Sequence, residues 1–319
     1  MFVGFLLFLS LYAFYKQFHQ SYTFASSMTS DDFKHKDFYT VALLSSEDPF
    51  DIVPLRLRSI KLLFLSPEHS VFSVYDVPTT LTFDMPGKFG EEELSKSFAL
   101  GTMEFSFSDE VYYESGINFT LTVLQDLIGI KVDRFVLVEP SMAEFSETLL
   151  VKGNILELLR RSESKNIKQS LKTNMSSADF LHFYSLVTGF SKSEITFSTF
   201  ESSDLLDAFI REMTYDTRFA EEKKSIAVLN GSGLSGVAGF GARVAKNMGG
   251  HVVAVDNAND TYEKSYLIVE DRTCQTTLYL LSFFNDVEVR LRSEVDFDEP
   301  VLDRADTTLI FGLDIASKY

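Results

Sequence analysis

The chain has 319 residues, 45% of them hydrophobic and 14% aromatic, enough to bury a sizeable core and, by length, to form two domains. With 46 acidic and 29 basic residues its net charge is -17, which excludes a general nucleic-acid binder and argues against adhesion to anionic lipid surfaces. One cysteine, Cys274, excludes an intrachain disulfide, and the five histidines show no H-x-x-x-H or H-E-x-x-H spacing, so neither a metal centre nor a cofactor is expected.

Residues 1 to 15, MFVGFLLFLSLYAFY, carry no charge. The run is shorter than the ~20 residues of a full span and lacks the basic start of a signal peptide, and we read it as a hydrophobic membrane anchor. Residues 16–37, rich in Ser, Thr and His, read as a stalk. The lysines that follow the anchor give no orientation.

Strands are expected at Phe38–Leu44, Ser59–Leu65 and Val71–Val77, the last two joined by the turn Ser66-Pro67-Glu68-His69. A helix is expected over Glu91–Leu100, with Glu91-Glu92-Glu93 as a favourable acidic first turn. A second helix covers Leu121–Leu127 and ends at Gly129, followed by a strand over Ile130–Glu139. Residues 141–160 and 178–188 read as helical, and Arg160, Arg161, Lys165 and Lys168 form the most basic cluster. Arg56, Arg58 and Lys61 read as one solvated strand face. Leu205, Leu206, Phe209, Ile210 and Met213 form an apolar stripe on a linker helix within residues 201–224.

The most informative stretch is Ser225–Asn257. A strand at Ile226–Leu229 enters the turn Asn230-Gly231-Ser232-Gly233-Leu234-Ser235-Gly236. A helix with Val237, Phe240, Val244 and Met248 on one face stops at Gly249-Gly250, and a second strand covers Val252–Val255. Gly231, Gly233 and Gly236 spell G-x-G-x-x-G, with Asp256 about 20 residues on where a dinucleotide fold holds its ribose. Only about half of such a fold fits before Tyr319, so dinucleotide binding stays a second alternative. The remaining elements are strands at Tyr266–Val269, Val287–Leu291 and Thr307–Phe311 and a helix near Thr276–Phe284. Asp296, Asp298 and Glu299 sit in a loop without the EF-hand spacing.

The run Val228-Leu229-Asn230-Gly231-Ser232-Gly233-Leu234-Ser235-Gly236-Val237-Ala238, with Phe219-Ala220-Glu221-Glu222 before it and Ala305-Asp306, Gly312 and Asp314 near the end, resembles the C-terminal domain of LytR-type proteins. Ser66-Pro67, Val77-Pro78 and Gly129-Ile130-Lys131-Val132-Asp133-Arg134-Phe135 resemble, more thinly, a LytR-CpsA-Psr (LCP) domain, whose members transfer glycopolymer from polyprenyl pyrophosphate to the cell wall. The resemblance implies a bacterial envelope protein with the bulk of the chain outside the cytoplasm. It also implies cell-wall polymer, polyprenyl lipid or envelope proteins as partners.

The departures from the LCP pattern bear on the chemistry. The family's Pro-Arg-Asp motif is Pro78-Thr79-Thr80 here, its aspartate ahead of the first hairpin strand falls on Arg58 or Ser59, and its lysine before the next helix falls near Glu93. Hydroxyls hold phosphate far more weakly than a guanidinium fork does. The expected architecture is therefore α/β throughout: anchor 1–15, stalk 16–37, a degenerate LCP-like domain 38–200, linker helix 201–224, and a LytR-type module 225–319. The expected role is non-catalytic binding or scaffolding in glycopolymer attachment. An active transferase using a rearranged set such as Arg56, Arg58 and Asp133 is the alternative. Candidate site residues are Asn230, Gly231, Ser232, Gly233 and Gly236 at the turn, and Arg58, Asp133 and Arg134 as a residual polar pocket.

Overall fold

A computed structural model describes residues 38–86, 89–103, 111–143, 170–191, 193–214, 217–234, 236–284 and 287–316. The expected anchor, stalk and basic cluster, and nearly all of the helical stretch 141–160, lie outside these residues. Among the described residues no helix is long and apolar enough to cross a membrane. They fall into two compact units. The first draws on residues 38–83, 92–117 and 132–200, the second on 84–91, 118–131 and 201–316.

The first unit is built on β1 (Tyr39–Ser46), β2 (Leu57–Ser66) and β3 (Val71–Val77), an antiparallel meander. β4 (Thr82–Met85) and β5 (Gly90–Glu93) make a separate two-stranded ribbon. β6 (Arg134–Val138) runs parallel to β1, β7 (Leu171–Thr173) is antiparallel to β6, and β8 (Ile195–Thr199) is parallel to β3. The sheet order is β7-β6-β1-β2-β3-β8.

Every residue of β1 is buried, so it reads as a continuous apolar run rather than an alternating one. One face of the sheet, with Val41, Leu43, Leu63, Leu65, Phe72 and Val136, packs against Phe180, Phe183 and Val187. Ala42, Leu44, Ile60, Leu62, Phe64, Phe135 and Leu137 are buried as well.

Helix α1 (Ser97–Gly101) follows a 3-10 turn, and α2 (Val111–Ile128) follows it in the chain. Two expectations are corrected here. Glu91, Glu92 and Glu93 lie in β5 and precede the helix instead of starting it, because Gly90 at φ 66 turns the chain back along β4. α2 begins about three turns before the expected Leu121. Gly116 sits mid-helix, where a Cβ would lie 2.7 Å from the Phe98 ring and 2.8 Å from Thr102. The glycine serves close packing, and its weak helix propensity is outweighed. α2 ends as expected at Gly129, φ 62. Helix α3 (Ser177–Val187) starts from a capping box in which Ser176 and Asp179 satisfy each other's backbone N–H.

The second unit contains α4 (Ser203–Thr214), α5 (Thr217–Glu222), β9 (Ser225–Asn230), α6 (Val237–Asn247) and β10 (His251–Asn257). β11 (Tyr266–Val269), α7 (Gln275–Phe283), β12 (Glu288–Leu291), β13 (Thr307–Phe311) and α8 (Leu313–Ala316) follow. The expected elements from residue 225 onward all form, within a residue or two at their ends. On α4, Leu206, Ile210 and Met213 are buried, whereas Leu205 is 58% exposed.

The sheet order is β10-β9-β13-β11-β12, with β9 parallel to both β10 and β13, and β11 antiparallel to β13. Val228, Phe240, Val244, Leu309 and Phe311 centre the core. Gly241 is required there, since a Cβ would stand 2.2 Å from the Phe311 ring. β10 forms one edge, carries a bulge between Val252 and Ala254, and leaves Val253 and Val255 nearly half exposed.

Candidate functional site

The glycine turn at the end of β9 is closed by its own side chains. Asn230 Oδ1 accepts from Ser232 N at 3.1 Å and Ser232 Oγ at 2.7 Å, while Asn230 Nδ2 donates to Leu234 O at 2.7 Å. Ser232 Oγ accepts from Leu234 N at 3.1 Å, and Gly231 N donates to Phe311 O at 2.8 Å. Three backbone donors that a phosphate-cradling turn aims at its ligand are thus occupied within the protein.

The glycines have separate reasons. A Cβ on Gly231 would come within 2.5 Å of the Tyr262 ring. Gly233 and Gly236 hold φ 74 and 90 in open space, and Gly236 is the N-cap of α6. A dinucleotide-binding half places its third strand outside the second, in the order 3-2-1. Here β10 is an edge, and the strand on the other side of β9 is β13, so that topology is not formed. Asp256 is exposed, and its carboxylate accepts from Asn257 N.

The other residues of the LytR-like pattern also do structural work. Asp306 accepts from Ser225 N at 2.8 Å and Ser225 Oγ at 2.6 Å, joining the start of β13 to the start of β9. These bonds hold its carboxyl below the usual range. Asp314 accepts from Ser265 Oγ at 2.6 Å, and a Cβ on Gly312 would lie 2.4 Å from the Lys264 backbone. Glu222 accepts from the Gln275 and Thr276 N–H groups that open α7.

In the first unit, Asp133 and Arg134 are adjacent and buried, at 7% and 3% exposure. Asp133 Oδ2 accepts from Thr40 N at 3.0 Å, and Arg134 Nε donates to Asp179 Oδ2 at 3.2 Å, joining β6 to the cap of α3. Arg58 is exposed on β2 beside the Ser45/Ser46 end of β1, whereas Asp133 lies beside Thr40. At 3.3 Å per residue that is roughly 17 Å along the strand. The structure brings Asp133 and Arg134 together and leaves Arg58 apart from them. Arg58 is the extra residue of a bulge where β2 meets the end of β1, and Lys61 pairs with Asp76 at 3.7 Å. Thr79 and Thr80 sit in a turn closed by Leu81 N to Pro78 O at 3.0 Å.

A different polar cluster gathers at the C-terminal ends of the parallel strands β1 and β6. Glu139 follows β6 and its Oε1 accepts from Phe50 N at 2.9 Å. Tyr113, on α2, donates its hydroxyl to Phe50 O at 2.8 Å. Lys172 on β7 holds its ammonium 4.9 Å from the Tyr113 ring centroid. Ser46 Oγ donates to Asp48 O at 2.7 Å nearby.

Burial pushes the Lys172 amine below its usual value, only partly countered by Glu139. Burial, with Tyr112, Glu139 and Asp51 adding negative charge, pushes Tyr113 up to about 12. These groups are 26 to 59 residues apart in sequence and match no motif spacing, so sequence reading missed them. The one local signal was the break after the β6 run at Glu139-Pro140.

Among the described residues no group of His, Cys, Asp and Glu could hold a metal ion. Glu299, from the acidic loop, instead accepts from Asn259 N at 2.9 Å and the Tyr262 hydroxyl at 3.0 Å.

No family model matches the sequence, and no characterised protein sequence matches it. Solved structures similar to the chain are LCP proteins at low identity and partial coverage. TagV of B. subtilis is 10% identical over 52% of this chain and 85% of its own, with a TM-score of 0.40. TagT bound to LIIa-WTA is 13% identical over 60% and 97%, with a TM-score of 0.38. The LytR-CPS2A-psr family protein YwtF (TagT) with bound octaprenyl pyrophosphate lipid is 15% identical over 56% and 85%, with a TM-score of 0.35.

Proposed function

We propose that this chain is a membrane-anchored, extracytoplasmic envelope protein of a bacterium that binds or scaffolds cell-wall glycopolymer without transferring it. In this reading, a degenerate LCP-like region covers residues 38–200 and a LytR-type module covers residues 225–319. The observation that carries it is the set of residues from Asn230 to Asp314. Residues matching the LytR-type pattern are engaged as turn, clasp and close-packing elements of one small α/β unit. Loss of transferase chemistry is supported by the threonines at 79 and 80 and by Arg134, whose Nε is paired with Asp179.

The test is mass spectrometry of lipids co-purified with the full chain from a bacterial membrane. The expected result is no stoichiometric polyprenyl phosphate, together with no glycopolymer transfer from a polyprenyl-linked donor. Measured transfer would overturn the non-catalytic reading.

An active transferase is the second reading, and one observation favours it. Lys172 is half-buried at the ends of parallel strands, the end at which open α/β sheets bind ligands, and among the described residues no carboxylate forms an ion pair with it. On that reading a donor lipid co-purifies, and Lys172→Ala abolishes its retention. Unchanged retention in that variant would sink it.

A further inference from the structure

The second unit holds a cavity of about 250 Å³ that neither the glycine turn nor the LytR-like pattern involves. Its walls come from α4, α6 and the edge strand β10: Asp207, Arg211, Gly239, Arg243, Lys246 and Val255. Gly239 leaves open space where a Cβ would stand, and Val255 forms an apolar floor, 47% exposed.

The charge of this cavity runs against the chain. In a chain with 46 acidic and 29 basic residues, its described lining carries Arg211, Arg243 and Lys246 against the single carboxylate of Asp207. Arg211 lies one turn beyond Asp207 on α4, its natural i,i+4 partner. Asp207 is already taken. It receives Arg243 Nε and Nη2 at 2.9 and 2.8 Å and Asn247 Nδ2 at 3.1 Å. Arg243 in turn caps the carbonyls of Asp126 and Leu127 at the end of α2, and Asn247 donates to Gly129 O at 3.2 Å. That network fixes the back wall and removes the counter-ion.

Helix α6 contains no acidic residue, so Lys246 has no carboxylate on its own helix. Lys246 and Arg211 are both exposed and line one cavity whose one described carboxylate, Asp207, is paired with Arg243.

We propose that this cavity binds a phosphate-type anion, a phosphomonoester or phosphodiester group, through Arg211 and Lys246. The guanidinium fork matches two phosphate oxygens and the ammonium supplies a point charge. The volume corresponds to about eight waters. It is smaller than the roughly 300–1,000 Å³ of a pocket for a whole small molecule, so it suits a charged group borne on something larger. A polymer phosphodiester and a lipid headgroup share this chemistry. The proposal goes beyond the function proposed above and does not depend on whether the first unit is catalytic.

The full chain, in detergent, is titrated with inorganic phosphate and with dimethyl phosphate, following backbone amide and Arg Nε–H resonances by NMR. Sodium acetate serves as the control anion. Both phosphates are expected to shift Arg211, Gly239 and Lys246 selectively, and added salt is expected to weaken them. Arg211→Gln and Lys246→Gln should each weaken binding about fivefold, the upper end for one exposed ion pair. Arg304→Gln and Lys223→Gln, exposed cations elsewhere in the unit, should leave it unchanged. No selective shift at about 100 mM phosphate (several times the ceiling expected for such a contact), or equal weakening by Arg304→Gln, overturns the proposal. Arg211-dependent retention on phosphatidylglycerol vesicles would identify a lipid source. Arg211-dependent retention of poly(glycerol phosphate) would identify a polymer source.

Discussion

Two strand ends carry many of the polar side chains described above, and they use them in opposite ways. After β9, Asn230 and Ser232 satisfy each other and the turn's backbone, with the Ser232 and Leu234 N–H groups, the Ser232 hydroxyl and the Asn230 amide all donating inside the protein. After β6, Glu139 and Tyr113 both bond to the Phe50 backbone, yet Lys172 contributes an ammonium whose recorded neighbour is an aromatic ring. The first end carries a recognisable motif and is a structural joint. The second carries no motif and joins a half-buried ammonium, a carboxylate and a tyrosine drawn from three separate elements.

The largest effect should come from Gly231→Ala. Its Cβ would meet the Tyr262 ring at 2.5 Å and Phe311 O at 3.2 Å, and the backbone has little room to move. A loss of about 1–3 kcal/mol is expected, read as a lower urea midpoint for the second unit. Gly233→Ala meets nothing, so its smaller cost would isolate the strain of φ 74.

Asn230→Ala should cost about 1–2 kcal/mol by unpairing Ser232 and Leu234. Asn230→Asp keeps the acceptor, loses the donor to Leu234 O, and should cost less. If Asn230→Ala proved neutral by denaturant unfolding, the turn would not be the joint described.

At the other strand end, Tyr113→Phe should cost about 0.5–1.5 kcal/mol for the bond to Phe50 O. Its pH signature is sharper. Tyr113 keeps its proton to about 12 when folded, against 10.0 ordinarily. Its contribution is therefore present in full below pH 10 and is lost as the pH climbs through about 12. Tyr113→Phe should remove that part of the alkaline decline, measured as unfolding midpoint against pH.

The smallest effect is expected from Lys172→Met. The lost contact with the Tyr113 ring and the relieved burial of a charge oppose each other, leaving a change within about 1 kcal/mol. Because the folded amine sits below its unfolded value, wild-type stability should rise with pH through the window between them, and the variant's should not. Amine-selective acylation at mildly alkaline pH, mapped by peptide mass spectrometry, should single out Lys172. Labelling no faster than at exposed Lys223 would contradict the depressed amine.

Much of the second unit was legible in the sequence because its signals are local. Gly249 ends α6 at φ 96, and apolar runs of three or four residues mark β9, β10, β11 and β13. The first unit was legible where runs stayed apolar, as in β1 to β3. It was misread where packing overrode propensity, as at Gly116, or where hairpin geometry overrode charge, as at Glu91-Glu92-Glu93. Arg58 and Asp133 were grouped by residue type, and only strand register places them at opposite ends of β1. The cavity residue Arg211 gave no signal either. Its lack of a partner depends on Asp207 being held by Arg243, 36 residues away in sequence.

The bulge in β10 has a consequence for how the protein behaves in a crowd of its own copies. Edge strands offer unpaired amides and carbonyls to any neighbouring chain, and exposed Val253 and Val255 make this edge apolar as well. An extra residue between Val252 and Ala254 interrupts the regular spacing that a visiting strand must match over several rungs. The second unit can thus carry an apolar rim while resisting open-ended sheet growth.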